Sequence, residues 1–180
     1  MGKITLITGC PMSGKSRWAA SYFESCDNVQ YLCTASDIDS HTRSRIIYNE
    51  SRHGMMWNIV KGFRFGGKVN ISGSKFFIFD SIDELVRLQF YENPKLFGLS
   101  GEEKVGELTE NVLEKLSEFV SAVKDAGGNL IIVTAEASMV GEQSEYDGDY
   151  HLSLAIINER MSALADEVFF SASGVQFKIK

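Results

Sequence analysis

The segment GCPMSGKS, residues 9–16, constrains the fold of this 180-residue chain more than any other feature. It directly follows ITLITG, a short apolar and β-branched run that is typical of a strand buried on both faces in a parallel sheet. A helix is predicted from about residue 13 to residue 23. Because Gly9 and Gly14 can adopt backbone conformations that other residues avoid, the amides between strand and helix can turn toward one point. That point is the N-terminus of the helix, whose partial positive charge favours an anion.

The spacing G-x-x-x-x-G-K-S is the P-loop pattern, which predicts a phosphate-binding loop. In this pattern the amine of Lys15 reaches the β- and γ-phosphates of a nucleotide, and the hydroxyl of Ser16 is offered to Mg²⁺. The alternative is a glycine-rich turn that only caps an ordinary helix. We expect ATP or GTP to contact Gly9, Cys10, Pro11, Met12, Ser13, Gly14, Lys15, Ser16 and Arg17.

The apolar run FFIFD ends in Asp80, a candidate for the second ligand of Mg²⁺. A P-loop needs a carboxylate to hold the metal, often through water, and it is expected at the end of a neighbouring strand. The sequence therefore predicts that Ser16 and Asp80 hold Mg²⁺. The alternative is that Asp80 only caps the next helix. Asp83 and Glu84 are interpreted as charges in the first turn of that helix.

The rest of the chain alternates strands with helices, which predicts an α/β fold with a mainly parallel sheet. Residues 168–180 predict two strands around a Ser-Gly turn, the last one at an edge with one wet face. We expect a RecA-like P-loop NTPase fold in a single domain, residues 1–180, with a C-terminal antiparallel hairpin. Further buried strands are predicted at residues 29–35, 74–80 and 129–135, helices at 37–52, 81–91, 100–126 and 151–165, and strand with loop at 55–70.

Composition excludes several classes of function. The net charge is −6, and no run of Lys and Arg is long enough to follow a nucleic-acid backbone, so we expect no nucleic-acid partner. Three cysteines form neither a disulfide framework nor a C-x-x-C pair, which favours reduced thiols in the cytoplasm. No apolar run approaches the roughly 20 residues that span a bilayer, and the first strand begins too early to leave room for a signal peptide. We therefore expect a cytoplasmic chain without membrane contact.

Taken in order, several segments resemble the adenosylcobinamide kinase / adenosylcobinamide-phosphate guanylyltransferase family of cobalamin biosynthesis. These segments are LITGCPMSGKSRWA, YLCTASDIDSHTRSRI, FFIFDSIDELV and IIVTAEAS. The third of them resembles the family's Asp-Cys-Leu-Thr region. Trp57 falls where the family places a tryptophan. The C-terminal NERMSALADEVFFSASGVQFKIK is the most particular match, because a generic P-loop protein has no reason to share it. The resemblance covers nearly the whole chain.

The resemblance implies a P-loop α/β domain, often trimeric, with two reactions. The family phosphorylates the hydroxyl on the aminopropanol arm of adenosylcobinamide. It then transfers GMP from GTP to that phosphate through a guanylylated histidine. By resemblance, the partners of this chain are a nucleoside triphosphate, a cobinamide-type acceptor and further copies of itself in a homo-oligomer.

The chain departs from the family at the guanylylated histidine. Read in register from Arg45 to Trp57, that position is Asn49, whose amide has no nucleophilic nitrogen with which to form a phosphoramidate. His53 follows one helical turn later on the same face, and His41 precedes by two turns. Either could replace the missing nucleophile, or both could be ordinary surface histidines.

Other departures are Met12 for an arginine, Ala135 for a strand-end asparagine, Ser138 for a glycine, and His151 with Leu152 for an Arg-Asp pair. The family residues that remain are Lys15, Ser16, Asp80, Glu136 and Asn158.

Together with these retained residues, the resemblance implies an NTP-dependent kinase that phosphorylates adenosylcobinamide, with the second reaction in doubt. Phosphoryl transfer mainly requires positioning and charge stabilisation, which Lys15, Ser16, Mg²⁺ and Asp80 can provide. Glu136, at a strand end, is a candidate base for the acceptor hydroxyl. The alternatives are the full bifunctional enzyme with a displaced nucleophile, and a nucleotide-binding homologue with a regulatory or assembly role and no cobinamide activity.

Overall fold

The fold is built on a seven-stranded sheet with the strand order β3-β2-β4-β5-β1-β6-β7. This sheet belongs to a computed structural model of the chain, which describes residues 2–53, 56–66, 69–139 and 147–180. All neighbouring strands are parallel except β6 and β7, which form an antiparallel hairpin. The predicted mainly parallel α/β sheet with a C-terminal hairpin is therefore confirmed. The strands are β1 Ile4–Gly9, β2 Val29–Cys33, β3 Asn58–Val60, β4 Phe76–Asp80, β5 Asn129–Val133, β6 Glu167–Ala172 and β7 Val175–Lys178.

Five α-helices cover the two faces of the sheet in the described part of the chain. Two of them, α1 and α2, pack with Trp57 on one face, and the other three enclose the larger core on the opposite face. Both faces are covered, which explains why β1 and β2 are mostly apolar and are buried along their whole length. The helices are α1 Lys15–Tyr22, α2 Ser40–His53, α3 Ile82–Glu92, α4 Gly101–Asp125 and α5 Asp147–Leu164.

The strand order sets the geometry of the carboxyl edge of the sheet. Strand β5 pairs with β1 on one side and with β4 on the other. The loop after β1 is therefore separated from Asp80 at the end of β4 by one strand. Residues that follow β5 emerge between the two.

The helix starts follow local hydrogen bonding. Ser100 and Glu103 form a complete capping box at the start of α4. At the start of α3, Ser81 accepts a hydrogen bond from the Glu84 amide, but the Glu84 carboxylate pairs with Arg87 instead of returning to the cap. The capping-box spacing of the sequence is thus only half realised there.

Two predictions on the C-terminal third need correction. Helix α5 begins at Asp147, four residues before the predicted start, because the Asp- and Gly-containing segment before His151 is helical although it reads as a loop. The last strand is at the sheet edge as predicted, but its apolar side is not buried. Val175, Phe177 and Ile179 are 54, 55 and 64% exposed, because the described helices leave the outer strand uncovered.

Among the described residues, no helix is long and apolar enough to cross a membrane.

The close packing of β1 against β6 at Gly9 predicts a large effect of a single methyl group. Gly9 has φ +134°, and a Cβ atom there would lie 2.2 Å from the Ser171 carbonyl oxygen. Gly9→Ala should therefore lower the free energy of unfolding by roughly 2 kcal/mol or more, measured by urea denaturation. Gly106→Ala is the matched control, because a Cβ there meets nothing within 4 Å. Because Gly106 lies in the second turn of α4, this control should stabilise the protein by about 0.5–1 kcal/mol. Equal stability of the two variants would contradict the packing described at Gly9.

Candidate functional site

The loop between β1 and α1 is shaped by three residues with positive φ. Gly9, Met12 and Gly14 have φ angles of +134°, +59° and +90°. Gly14 is the N-cap of α1, so the helix begins at Lys15 and its N-terminus faces the loop. The predicted strand–loop–helix arrangement is thus present. Pro11 and Met12 form the exposed tip of the loop, and Cys10 is half-buried at its base.

The C-terminal hairpin holds this loop in place. The carbonyl oxygen of Ser13 accepts hydrogen bonds from the Ser171 hydroxyl at 3.0 Å and from the Gly174 amide at 3.1 Å. The side chain of Arg17 also lies close to Gly174. The C-terminal segment, which carries the most particular sequence resemblance, is therefore part of the loop's support.

Lys15 lies inside the curve of the loop. Its Nζ donates hydrogen bonds to the carbonyl oxygens of Gly9 at 3.1 Å and of Cys10 at 2.7 Å. Burial lowers the pKa of Lys15, and the negative charges of Asp83 and Asp80 partly oppose that change. The ammonium group is thus placed at the base of the loop with two carboxylates to stabilise its charge.

Ser16 and Asp80 are in direct contact, although one strand separates the elements that carry them. The Ser16 hydroxyl donates to Asp80 Oδ1 at 3.0 Å, and the Tyr31 hydroxyl donates to Asp80 Oδ2. Loss of water around the carboxyl group raises the pKa of Asp80 to about 6, although both hydrogen bonds act in the opposite direction. Tyr31 is a residue that the sequence reasoning missed, because it lies within an ordinary buried strand.

The chemistry of these donors fits Mg²⁺. The ion prefers oxygen ligands and is usually held by one or two protein groups together with water and substrate phosphates. Ser16 and Asp80 offer a hydroxyl and a carboxylate within 3.0 Å of each other. The described residues include no cluster of three or more His, Cys, Asp or Glu side chains that could hold a metal without such help.

The residues after β5 connect the two halves of the site. The Glu136 amide donates to the Gly9 carbonyl at 3.1 Å, and the Glu136 carboxylate accepts from the Thr8 hydroxyl at 3.5 Å. Asn158 fixes the preceding backbone, because its amide donates to the Ala135 carbonyl and accepts from the Thr134 hydroxyl, both at 2.8 Å. Glu136 is thus brought beside the P-loop.

Asp83 is more than the charge in a helix first turn that its position suggests. One of its carboxylate oxygens accepts a hydrogen bond from the Ala135 amide at 3.0 Å, and burial raises the pKa of Asp83. The sequence reasoning missed this contact, because it joins the first turn of α3 to the residues after β5, which lie 52 positions apart in the chain.

A cleft of about 600 Å³ opens beside the loop. Residues 12–17 line it together with Ser173 and Gly174 of the hairpin turn and with Asp39, His41 and Thr42 at the start of α2. The structure therefore brings His41 to the P-loop. Asn49 lies further along α2, and the side chains of Asn49 and His53 lie outside the part of the chain that the structure describes.

The raised pKa of Asp80 predicts how the stability of the metal-free protein depends on pH. A carboxyl group whose pKa is higher in the folded than in the unfolded chain stabilises the fold fully at pH values below its pKa in the unfolded chain. That stabilisation is lost as the pH rises through its pKa in the folded chain. The pKa of Asp80 rises from 3.8 to about 6. The free energy of unfolding should thus fall by roughly 3 kcal/mol, relative to Asp80→Asn, between about pH 4 and about pH 7. Urea unfolding in chelator at a series of pH values measures this, and a constant difference between the two proteins would refute it.

Known proteins resemble this chain over nearly its whole length. A sequence model of the family described as cobinamide kinase / cobinamide phosphate guanyltransferase matches residues 5–179. The bifunctional adenosylcobalamin biosynthesis protein CobU of Salmonella typhimurium is 23% identical over 184 residues, covering 97% of this chain and 98% of that protein. The protein of the same name from Escherichia coli is 22% identical with the same coverage.

Among solved structures, the KaiC-like protein PH0186 of Pyrococcus horikoshii aligns with a TM-score of 0.48 at 15% identity, over 94% of this chain and 70% of that one. The family match extends from the strand before the P-loop to the hairpin that supports it. The chain therefore belongs to the cobinamide kinase / cobinamide phosphate guanyltransferase family.

Proposed function

We propose that this chain is a kinase that transfers the γ-phosphoryl group of ATP or GTP to the hydroxyl of a cobinamide-type acceptor. The observation that carries the proposal is the contact between Ser16 and Asp80, with a 3.0 Å hydrogen bond, beside the ammonium group of Lys15. A hydroxyl, a carboxylate and a cation at the N-terminus of a helix are the parts that phosphoryl transfer needs. The family match supports the nature of the acceptor.

In this proposal each residue has a distinct task. The loop amides hold the phosphates, and Lys15 stabilises the charge that develops on the transferred group. Ser16 and Asp80 hold Mg²⁺, which neutralises charge on the β- and γ-phosphate oxygens when it is bound. The Ser13 hydroxyl is buried without a hydrogen-bond partner among the described residues, and a phosphate oxygen would satisfy it.

Glu136 is the proposed base for the acceptor hydroxyl. Its amide is tied to the Gly9 carbonyl, so its side chain starts at the edge of the P-loop. The Thr8 hydroxyl orients the carboxylate. Asp83 is turned toward the Ala135 amide, and its charge is better placed to keep Lys15 protonated.

We further propose that GMP transfer through the family's histidine position is lost, because that position is Asn49. The second candidate is the full bifunctional reaction, which one observation favours: His41 lines the nucleotide cleft. In that reaction a nitrogen of His41 would attack the α-phosphorus of GTP, and pyrophosphate would leave. The cobinamide phosphate oxygen would then displace the histidine from GMP. The curated relatives are named as bifunctional proteins.

The kinase proposal is tested with γ-labelled ATP or GTP, Mg²⁺ and adenosylcobinamide. Label should appear in the cobinamide product, and Lys15→Ala should lower the rate by at least roughly 100-fold, since one electrostatic contact to the transition state is worth about that much. Lys75→Ala is the matched control, because the side chain of that lysine is exposed and donates to the Ala126 carbonyl at the end of α4, away from the P-loop. Nucleotide binding without transfer to any cobinamide would instead support the homologue that lacks the activity.

A separate labelling experiment addresses GMP transfer. With α-labelled GTP the protein should form no acid-labile, base-stable adduct, and Asn49→His alone should not create one, because Ala135 and Leu152 also differ from the family. An adduct on the unmodified protein that disappears in His41→Ala but persists in His53→Ala would establish the second candidate.

The trimer, the single domain and the cytoplasmic location stay predictions.

A further inference from the structure

A second polar cavity lies between α3 and α4, apart from the nucleotide cleft. Its volume is about 390 Å³, and it shares no lining residue with the cleft beside the P-loop. The C-terminal half of α3 with the turn after it forms one wall, the middle of α4 forms another, and Arg64 closes one end. A smaller cavity of about 40 Å³ adjoins it, because Arg64, Gln89, Asn111 and Lys115 line both.

Three cationic side chains line the larger cavity, and none of them is neutralised. Arg64, Lys95 and Lys115 form no ion pair with any residue in the described part of the chain. Glu92 and Glu107 belong to the same lining, yet neither carboxylate pairs with these cations. The cavity thus has a net positive charge and holds cations that are available to a ligand.

The guanidinium of Arg64 is fixed in one orientation. Its Nη1 donates hydrogen bonds to the carbonyl oxygens of Thr34 at 2.6 Å and Phe63 at 2.7 Å. The described residues provide no hydrogen-bond partner for its Nε and Nη2. These two donors form the edge of the guanidinium that matches two oxygens of a phosphate or carboxylate.

Neutral amides supply further donors at fixed positions. Lys115 Nζ donates to Asn111 Oδ1 at 2.8 Å, which leaves the amide nitrogen of Asn111 for another acceptor. The Asn93 amide donates to Gln89 Oε1 at 3.2 Å, which orients both side chains. A few oriented polar groups in a cavity of about 300–1,000 Å³ are typical of small-molecule sites.

We propose that this cavity binds the phosphate group of a small phosphorylated molecule. Arg64 would take two phosphate oxygens, while Lys95 and Lys115 supply the remaining charge and the amides contact the rest of the ligand. A phosphate monoester fits better than a monocarboxylate, because it offers a third oxygen to a lysine ammonium group after two oxygens have paired with the guanidinium of Arg64. The proposal does not depend on the kinase reaction, since the nucleotide cleft uses other residues.

The test measures binding of inorganic phosphate and of glycerol 3-phosphate by titration calorimetry. The protein carries Lys15→Ala, so that the P-loop contributes little to phosphate binding. Adding Lys95→Gln with Lys115→Gln should weaken binding of both compounds by at least roughly tenfold, since the double variant removes two charged hydrogen-bond donors from the cavity. The control adds Lys75→Gln with Lys178→Gln, which removes two exposed charges elsewhere and should leave the dissociation constants unchanged.

A second measurement keeps the proposal testable if a variant folds poorly. In the unmodified protein with nucleotide filling the P-loop, glycerol 3-phosphate should shift the NMR signals of the Asn93, Asn111 and Gln89 side-chain amides. Equal dissociation constants in the cavity and control variants would overturn the proposal. So would the absence of saturable binding together with unshifted amide signals.

Discussion

The candidate site depends on the hydrogen bonds that Ser13 accepts from the C-terminal hairpin. The loop contains only a few residues, and one of them, Met12, is a non-glycine residue with positive φ. Such a conformation persists only where surrounding contacts hold it. The Ser171 hydroxyl and the Gly174 amide supply two of those contacts, and the approach of Gly9 to the Ser171 backbone fixes the start of the loop. The N-terminal motif and the C-terminal segment therefore form one structural unit.

The charges at this site are arranged by burial as much as by pairing. Lys15 has a lowered pKa and Asp80 a raised one, because each loses water when the strands assemble. Asp83 adds a second carboxylate in the same region, held by the Ala135 amide. Enclosed groups of opposite charge interact more strongly than exposed ones, so the charges of Asp80 and Asp83 contribute to the pKa of Lys15. Perturbed pKa values at a cleft are common at functional sites, in agreement with the proposed function.

Much of the fold could be predicted from the sequence, because the strands are buried on both faces and appear as continuous apolar runs. ITLITG and FFIFD mark β1 and β4 within one or two residues, and P-loop spacing places the turn between β1 and α1. The predicted start of α5 was wrong, because the Asp and Gly residues before His151 are typical of a loop. The apolar alternation of β7 suggested a buried side, yet burial depends on whether another element covers the edge, which the strand's own residues do not encode.

The site was harder to predict where contacts join distant segments. Lys15 and Ser16 could be predicted from the P-loop spacing, and Asp80 from its position at the end of an apolar strand. Tyr31 could not, because it contacts Asp80 from the middle of a buried strand that carries no motif. Asp83 could be recognised only through its contact with Ala135. Arg64 likewise lies in a segment without a motif. It donates a hydrogen bond to the Thr34 carbonyl, and the Thr34 amide in turn donates to the Asp80 carbonyl, so Thr34 links Arg64 to the backbone of Asp80.

The support of the loop by the hairpin has a consequence for biosynthesis. Residues 9–16 leave the ribosome early, but Ser171 and Gly174 emerge more than 150 residues later. Strand β1 also lies between β5 and β6, both of which are made late. A nascent chain thus carries the nucleotide-binding motif long before the residues that hold the loop in its folded conformation have been synthesised. The contacts that complete the loop join residues far apart in the sequence, and such contacts slow folding. Capacity to bind nucleotide would therefore arise in a late step of folding, when the sheet is closed around its first strand.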